Sequence, residues 1–422
     1  MVGRKEAAMA SQTSRATGNI IDYVRTRTGS FDERPFNDVD ALVLASLAYQ
    51  TMPDAVPTLT DWEHRYGTAA DRWRTLMSDP GTALRHPLNS LRALRHPVFP
   101  ATTLADAAAD LHPQDFDHNA GYTGLADPKL TEALFAAMAR NPRFSSIHVG
   151  AVDERFSREH QTQFAAMTLL LPDGTLVVSF RGTDTSFVGW KEDFNMAFQY
   201  PVPAQQLAAD YVTRVARLWQ GDLVLLGHSK GGNLAVYAAL QAGDDVLPRI
   251  RRVYSLDGPG FPADVVAGDR YRAVADRIVK IIPDSSIVGM ILDSPEHCVV
   301  VKSNEYGPMQ HLAFSWQVDR DRFVTVPEVS VTSREFKRSL DRMLAGMTPD
   351  QCERVVDALF KVLAASDEHG LIGLMEAGPK TIPAMLGAFA GLTDEERQHI
   401  LEAAGILLKA SFPLPWQSPQ PA

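Results

Sequence analysis

The sequence predicts an α/β fold: a mostly parallel sheet flanked by helices, with an N-terminal helical or irregular segment and a C-terminal helical appendage. The first observation behind this prediction is an alternation of strand and helix patterns between residues 163 and 301. The second is the all-apolar segment Leu223–Leu226, which is typical of a parallel strand buried on both faces. The third is the change after Pro327, where only helical periodicity continues. Alternating strands and helices favour a parallel sheet in a layered architecture.

The composition limits the class of protein. The chain has 422 residues, of which 45% are hydrophobic and 22% charged, and this is enough apolar material for a sizeable core. Its 51 acidic residues outnumber its 41 basic ones, which argues against a nucleic-acid partner. Two cysteines, Cys298 and Cys352, are too few for a disulfide scaffold and favour a reducing compartment. With no long apolar run and no apolar core in residues 1–17, we expect a cytoplasmic protein without a transmembrane segment.

The N-terminal third is predicted to be helical or irregular. Residues 1–18 are expected to form a disordered leader, and residues 19–27 and 38–49 to form short helices. Residues 55–125 contain helical stretches interrupted by prolines, and we expect them to be an insertion. The α/β domain as a whole is therefore predicted to span 19–330.

The central region alternates between strands and helices. Two strand patterns, 164–171 and 175–180, flank the turn Pro172-Asp173-Gly174, and this predicts a hairpin. Further apolar runs predict strands at 223–226, 252–256, 277–282 and 298–301, and helical spacing predicts helices at 203–219 and 231–241.

The appendage is predicted to cover residues 331–410, and residues 411–422 are expected to be a flexible, proline-rich tail. Three capping-box patterns predict helix starts within it. They pair Thr332 with Glu335, Thr348 with Gln351, and Thr393 with Glu396.

A Gly-His-Ser-Lys-Gly motif at 227–231 lies between a predicted strand and a predicted helix. This is the setting of a nucleophile elbow, in which a serine hydroxyl is exposed above the sheet on a sharp turn. Ser229 is therefore the candidate nucleophile, and the backbone N–H of Lys230 is a candidate oxyanion donor. Thr183, after the strand at 175–180, is the candidate second donor.

The expected chain order of the partners is serine, then acid, then histidine. Of the histidines after Ser229, His311 lies in a loop beyond the last predicted strand and is the candidate base. Asp284 is the preferred acid, because it follows the strand nearer to His311 in the chain. Asp257 is an alternative at the end of the preceding strand, and Asp293 is a weaker one.

Residues 185–198 are rich in large apolar side chains and lie beside the proposed oxyanion hole. They are interpreted as a mobile flap over the site or, equally, as a packed amphipathic helix. The candidate lid or substrate residues are Phe187, Trp190 and Phe194.

These motifs resemble the class 3 lipase branch of the α/β-hydrolases, and more closely a largely uncharacterised bacterial family of class 3 lipase-like hydrolases. The phrases that carry the resemblance include Phe-Arg-Gly-Thr at 180–183, Gly-Trp-Lys-Glu-Asp-Phe-Asn at 189–195, His-Ser-Lys-Gly-Gly-Asn-Leu-Ala at 228–235, Asp-Gly-Pro-Gly-Phe at 257–261, and the stretches at 31–37, 283–290 and 311–316. The resemblance implies an α/β-hydrolase fold with Ser229, Asp284 and His311 as a triad. It also implies an oxyanion role for Thr183 and a lid at 185–194.

The predicted function is a serine hydrolase that cleaves a carboxylic ester, such as a lipid or a lysophospholipid, through an acyl-enzyme. The same triad is compatible with an acyltransferase or a thioesterase, and a catalytically silent binding protein is a further alternative. We expect no metal and no cofactor, because no HExxH motif, CxxC pair or phosphate-binding glycine loop occurs. Transient contact with a membrane surface is compatible with this function.

Overall fold

The structure is a computed structural model that describes residues 17–78, 80–85, 87–88, 94, 101–111, 128–184, 186–366 and 378–411. Most of the expected leader at 1–18 and of the expected tail at 411–422 lies outside the described residues, as does part of the insertion expected at 55–125. The division of the chain into a domain and an appendage at residue 330 remains a prediction.

The central element is an eight-stranded sheet whose spatial order is the same as its chain order. Its strands are β1 (Thr102–Thr103), β2 (His148–Ser157), β3 (Thr162–Leu170), β4 (Leu176–Phe180), β5 (Leu223–His228), β6 (Ile250–Leu256), β7 (Ile278–Pro283) and β8 (Cys298–Val301). Strands β1 to β4 pair antiparallel, and β4 to β8 pair parallel. A short hairpin, β9 (Val318–Asp319) and β10 (Arg322–Phe323), follows the sheet. The predicted fold class, a mostly parallel sheet flanked by helices, is confirmed.

Helices pack on both faces of the sheet and continue beyond it. Before β5 they are α1 (Ile20–Thr26), α2 (Asp38–Leu47), α3 (Leu59–Tyr66), α4 (Ala69–Ser78), α5 (Pro80–Arg85), α6 (Leu104–Ala109), α7 (Pro128–Arg140), α8 (Phe187–Asn195) and α9 (Pro203–Leu218). After β5 they are α10 (Lys230–Leu240), α11 (Ala263–Val266), α12 (Asp269–Ala275), α13 (Val331–Ala345), α14 (Pro349–Ala364), α15 (Ile382–Ala390) and α16 (Asp394–Ser411).

Alternation along the parallel strands divides the apolar side chains between two cores. Leu226, Leu256 and Ile281 belong to one core, which also contains the side chains of α2. Leu225 and Val253 belong to the other, which contains the side chains of α9 and α10. Because side chains alternate across a strand with a period of two, both faces of the sheet are buried.

The register aligns the carboxyl ends of the parallel strands along one edge. Phe180 is opposite Gly227, and His228 is opposite Leu256. Pro283 is opposite Val301. The residues that follow β4, β5, β6 and β7 therefore meet at one edge of the sheet, where open α/β sheets place their sites.

The local predictions that succeeded depend on strong sequence patterns. The hairpin around 172–174 is present as β3 and β4, and Thr348 and Gln351 form the predicted capping box of α14. The start predicted at Thr332 is wrong. Ser330 caps α13 instead, because its side chain accepts a hydrogen bond from the Ser333 N–H at 3.2 Å.

Candidate active site

The turn between β5 and α10 has the geometry of a nucleophile elbow. Ser229 has φ 59° and ψ −134°, a backbone conformation that is strained for a residue with a Cβ. A Cβ added to Gly227 would lie 2.2 Å from the backbone of Gly231, and one added to Gly231 would lie 2.2 Å from the carbonyl oxygen of Phe180. Both glycines are therefore required by the close approach of the strand and the helix.

His311 connects the serine to a carboxylate. The Ser229 hydroxyl is 2.9 Å from His311 Nε2, and His311 Nδ1 is 2.6 Å from Asp257 Oδ2. The side chain of Asp257 is fully buried, whereas that of His311 is 12% exposed. The three residues thus form a continuous hydrogen-bonded chain from a buried carboxylate to a hydroxyl in a cavity.

The choice of Asp284 as the acid is corrected by this geometry. Asp257 follows β6, the immediate neighbour of β5, whereas Asp284 follows β7, one strand further from Ser229. The backbone of Asp284 bonds to Val301 and Ser330, and its Oδ1 has no hydrogen-bond partner among the described residues. Nearness to His311 along the chain therefore does not identify the acid, whereas the neighbouring strand does.

The carboxylate of Asp257 is fixed by two donors besides the imidazole. Ser286 Oγ donates to Asp257 Oδ1 at 2.5 Å, and the Gly289 N–H donates to the same oxygen at 3.2 Å. These donors come from the loop after β7, which is the loop that begins with Asp284. That loop therefore takes part in the site by supporting Asp257.

His228, inside the motif, holds the loop that carries the candidate base. Its Nε2 lies 2.8 Å from the carbonyl oxygen of His311, and its Nδ1 lies 3.3 Å from the hydroxyl of Tyr49. Burial, and to a smaller extent the neighbouring His311, lower the pKa of His228 to about 3, so the ring is neutral. A neutral ring that donates from Nε2 to the carbonyl leaves Nδ1 to accept from Tyr49.

The side chain of Lys230 is fully buried and takes no part in the proposed oxyanion hole, which uses the backbone N–H of this residue. Lys230 Nζ donates to Gln163 Oε1 at 2.9 Å and to Glu192 Oε2 at 3.0 Å. Burial alone would lower the pKa of Lys230, but Glu192 and Asp193 raise it above its ordinary value. The ammonium is therefore a charged tie between α10 and α8, and only the backbone N–H of Lys230 remains for an oxyanion.

Thr183 lies at the proposed position beside the nucleophile. It lines the same cavity as Ser229 and His311, and its hydroxyl donates to Asp193 Oδ2. Burial raises the pKa of Asp193 to about 6, although Lys230 lowers it. This hydrogen bond fixes the rotamer of Thr183, whose backbone N–H stays a predicted oxyanion donor.

The three predicted lid residues all lie on α8. Trp190 and Phe194 line the cavity, and Phe187 and Phe194 make edge contacts with Phe360 of α14. Glu192, on the same helix, is fully buried and accepts from the N–H groups of Gln163 and Ala204 as well as from Lys230. The segment is thus a helix anchored on both sides, and its movement as a flap stays a prediction.

A cavity of about 440 Å³ extends from the serine to the C-terminal helices. Its floor contains the polar groups of the site, and its far wall consists of side chains from α13, α14 and α16. The lining residues of that wall are Phe336, Leu340, Met343, Leu344, Met347, Cys352, Val355, Val356, Leu359, Ile400, Ala403, Ala404, Ile406 and Leu407. Sequence patterns gave no indication that these helices reach the site.

The site residues that sequence reasoning missed include Tyr49, Gln163, Glu192 and His228. His228 and Glu192 lie within the sequence stretches 228–235 and 189–195 that carry the family resemblance. Their position in these motifs is the signal that could have identified them. Tyr49 and Gln163 carry no local signal, because each reaches the site only through the fold.

The described residues contain no group of three or more His, Cys, Asp or Glu side chains that could hold a metal ion. None of their helices combines the length and the apolar character needed to cross a membrane.

Comparisons with known proteins identify a family. A family model described as Mbeg1-like matches residues 138–361, more than half of the chain. No curated protein matches the chain. Among solved structures, the crystal structure of M37 lipase is similar over 40% of this chain and 64% of the lipase chain, with 16% identity and a TM-score of 0.27. The match thus spans less than two thirds of that lipase, and so remote a likeness assigns no activity to the chain.

Proposed function

We propose that this chain, which belongs to the Mbeg1-like family, is a serine-dependent hydrolase of carboxylic esters. The observation that carries the proposal is the hydrogen-bonded chain from Asp257 through His311 to Ser229 at the strained turn after β5. A serine so placed, with a base at hydrogen-bond distance and a buried acid behind it, has the arrangement that activates a hydroxyl for acyl transfer.

In the first half of the reaction, His311 Nε2 takes the proton of Ser229 as Oγ attacks the ester carbonyl. The imidazolium that forms is stabilised by Asp257, which keeps the proton on Nδ1 and so fixes the tautomer. The carbonyl oxygen becomes an anion, and the backbone N–H groups of Lys230 and Thr183 are proposed to hold it. The N-terminus of α10 adds a favourable dipole at the same place.

In the second half, the tetrahedral intermediate collapses and His311 gives its proton to the leaving alcohol. An acyl-enzyme on Ser229 remains. Water then attacks this ester with His311 as the base again, and a second collapse releases the carboxylic acid and restores the serine. A thioester would follow the same steps with a thiol as the leaving group, and an acyltransferase would replace water by an acceptor alcohol or amine.

We propose a lipid-like ester as the substrate class, because the cavity that contains Ser229 is walled mainly by apolar side chains. The low number of cysteines supports a cytoplasmic location.

The experiment that tests the proposal is covalent labelling with a fluorophosphonate, which reacts with an activated serine. Wild-type protein should take up one label and lose ester hydrolysis in proportion. Ser229→Ala should take up none while its melting temperature stays nearly unchanged. The matched control is Ser285→Ala, since Ser285 lies in the loop after β7 and its side chain forms none of the hydrogen bonds of the triad. Equal labelling of Ser229→Ala and wild type would reject Ser229 as the nucleophile.

A further inference from the structure

We propose that α13, α14 and α16 form the acyl-binding wall of the cavity, so that the substrate carries one long apolar chain directed from Ser229 into the C-terminal helices. This inference rests on the proposed function for the reacting end of the substrate. It adds a binding site for the other end, made of residues more than 100 positions after the nucleophile in the chain.

The side chains that line the wall are spaced as single helical stripes. In α13 and just after it they are Phe336, Leu340, Met343, Leu344 and Met347. In α14 they are Cys352, Val355, Val356 and Leu359, and in α16 they include Ile400, Ala403, Ala404 and Leu407. Intervals of three and four residues place each set on one helix face. Three helices thus turn an apolar face towards one space.

The packing of the C-terminal helices on one another explains these stripes only in part. Among the described residues, the core cluster of these helices has three buried members, Ala358, Val362 and Leu392, and of the stripe residues only Ile400 packs against it. Polar residues of α13, such as Arg338 and Asp341, occupy the exposed face instead. Apolar side chains that line a cavity still have apolar surface to bury, so a ligand that fills the cavity gains binding free energy from contact with them.

The polar and apolar groups are segregated within the cavity. Its acidic, basic and histidine lining residues, which are Asp193, His228, Lys230 and His311, all belong to the sheet-edge side or to α8. The wall of C-terminal helices contributes none. An ester has the same division, with a polar carbonyl at one end and an apolar chain at the other. The ester is therefore expected to bind with its carbonyl at Ser229 and its chain against the C-terminal helices.

The size of the cavity favours one chain over several. Its volume of about 440 Å³ lies near the lower end of the range of small-molecule sites, which is roughly 300–1,000 Å³. A single acyl group is therefore the ligand we propose, carried by a monoester of a fatty acid or by a lipid with one acyl chain.

Two polar contacts connect the helices of the wall to the part of the protein that contains the reacting groups. Lys191 of α8 pairs with Asp357 of α14 at 2.7 Å. Lys337 of α13 donates to the carbonyl oxygen of Leu292 at 2.9 Å. These contacts connect α14 to α8 and α13 to the loop after β7, both of which border the reacting end of the cavity.

The test is a series of p-nitrophenyl esters from acetate to palmitate, assayed with wild type and three variants. In wild type, kcat/KM should rise with chain length by up to about fourfold for each buried methylene until the cavity is filled. Leu340→Trp and Leu359→Trp place bulk in the wall from two different helices and should each lower the palmitate-to-acetate ratio at least tenfold. Leu408→Trp is the matched control, because Leu408 is 59% exposed and does not line the cavity, so its ratio should equal that of wild type.

A binding measurement separates this inference from the proposed function. Ser229→Ala should bind a fluorescent long-chain fatty acid, and adding Leu340→Trp should weaken that binding at least tenfold. If the enzyme hydrolyses acetate and palmitate esters equally well and binds no fatty acid, the inference is overturned and the hydrolase stands. If the fatty acid binds but no ester is cleaved and no fluorophosphonate is taken up, the proposed function fails and the binding site stands.

Discussion

Asp257 positions His311 through a hydrogen bond from a fully buried site. Its carboxylate is buried and accepts from Ser286 and Gly289 as well as from the imidazole. Asp257→Asn leaves the geometry nearly intact but favours the wrong imidazole tautomer, and in the comparable serine-protease substitution kcat falls by about 10⁴. We expect a loss of that order in steady-state ester hydrolysis.

Asp284→Asn is the matched control for Asp257→Asn. It makes the same chemical change one strand away, and it should reduce kcat less than tenfold because Asp284 does not contact His311. A severe loss in Asp284→Asn with a mild loss in Asp257→Asn would restore the assignment made from the sequence.

The choice between these two carboxylates could not be made from sequence. Both follow a parallel strand, and both stand between Ser229 and His311 in the chain. The deciding feature is spatial: Asp257 adopts φ 48° directly after β6, and its strand is the neighbour of the strand that carries the serine. Neither the turn geometry nor the loop path of His311 is encoded in a local pattern.

His228 makes the stability of the protein sensitive to acid. Its pKa is about 3 in the folded state because of burial, whereas an unfolded histidine titrates near its ordinary 6.5. Between these values the unfolded chain binds a proton that the folded chain does not, so the free energy of unfolding falls with decreasing pH by up to about 1.4 kcal/mol per pH unit. Above that pH, His228 contributes no pH dependence.

Thermal melts between pH 7.5 and 4.5 test this contribution. His228→Gln has no titrating ring and retains an amide donor for the carbonyl of His311, so its melting temperature should fall less steeply with acid than that of wild type. Asp193 acts in the opposite direction, since its raised pKa makes the folded state lose stability as the pH rises through about 6. Because Asp193 is present in both proteins, the difference between their curves isolates His228. Parallel curves would contradict the assignment.

At the scale of elements, the buried pair between Lys230 and Glu192 joins α10 to α8. The two side chains are 1% and 0% exposed. Lys230→Met leaves the carboxylate of Glu192 buried without its cation and should lower the free energy of unfolding by about 3–5 kcal/mol. Adding Glu192→Gln removes that charge and should recover about 1–2 kcal/mol. Chemical denaturation measures both changes, and a double variant less stable than Lys230→Met would show that the ion pair is not the source of the loss.

The position of α8 gives the flap hypothesis a specific form. The helix is held by Glu192 on one side and by the contact of Lys191 with Asp357 on the other, so opening requires that at least the outer tie breaks. We expect Trp190→Ala to lower the hydrolysis of long-chain or micellar esters while short-chain hydrolysis survives, because Trp190 lines the cavity.

Phe187→Ala is the matched control for Trp190→Ala. Phe187 lies on the same helix, packs on Phe360 and does not line the cavity, so its removal should leave the chain-length preference unchanged. If both substrate classes and the melting temperature fall together in Trp190→Ala, Trp190 is a core residue and the flap hypothesis is wrong.

Some elements could be predicted because their signal is local. β5 is a run of apolar residues, and α14 begins with a threonine, a proline and a glutamine at the positions of a capping box. β2 was missed, because its second half is largely exposed and has no clear apolar alternation. The start of α13 was misplaced because Ser330 and Thr332 are both acceptable caps, and only the path of the preceding chain decides between them.

At the scale of the whole molecule, the site is formed by two regions of different packing. The sheet and its helices contribute the reacting groups and contain the two large cores. The C-terminal helices contribute the apolar wall but have only a small core of their own, and Leu401 and Leu408 of α16 are more than half exposed. The motif at 227–231 identifies the reacting region from sequence. The C-terminal helices have no such motif, and their part in the site is visible only in the folded structure.

This difference predicts unequal stability within one chain. Regions with few buried contacts open locally with small free energies, and core strands open only with global unfolding. In hydrogen exchange followed by mass spectrometry, peptides from α16 should exchange much faster than peptides from β5. Labelling Ser229 with a phosphonate that carries a long alkyl chain should slow exchange in α13, α14 and α16, because the chain fills the cavity that their apolar stripes line. A methyl phosphonate on the same serine is the matched control and should leave the C-terminal helices as they were, since it reaches only the floor. Identical exchange in these helices with both labels would mean that the alkyl chain leaves the cavity by another route.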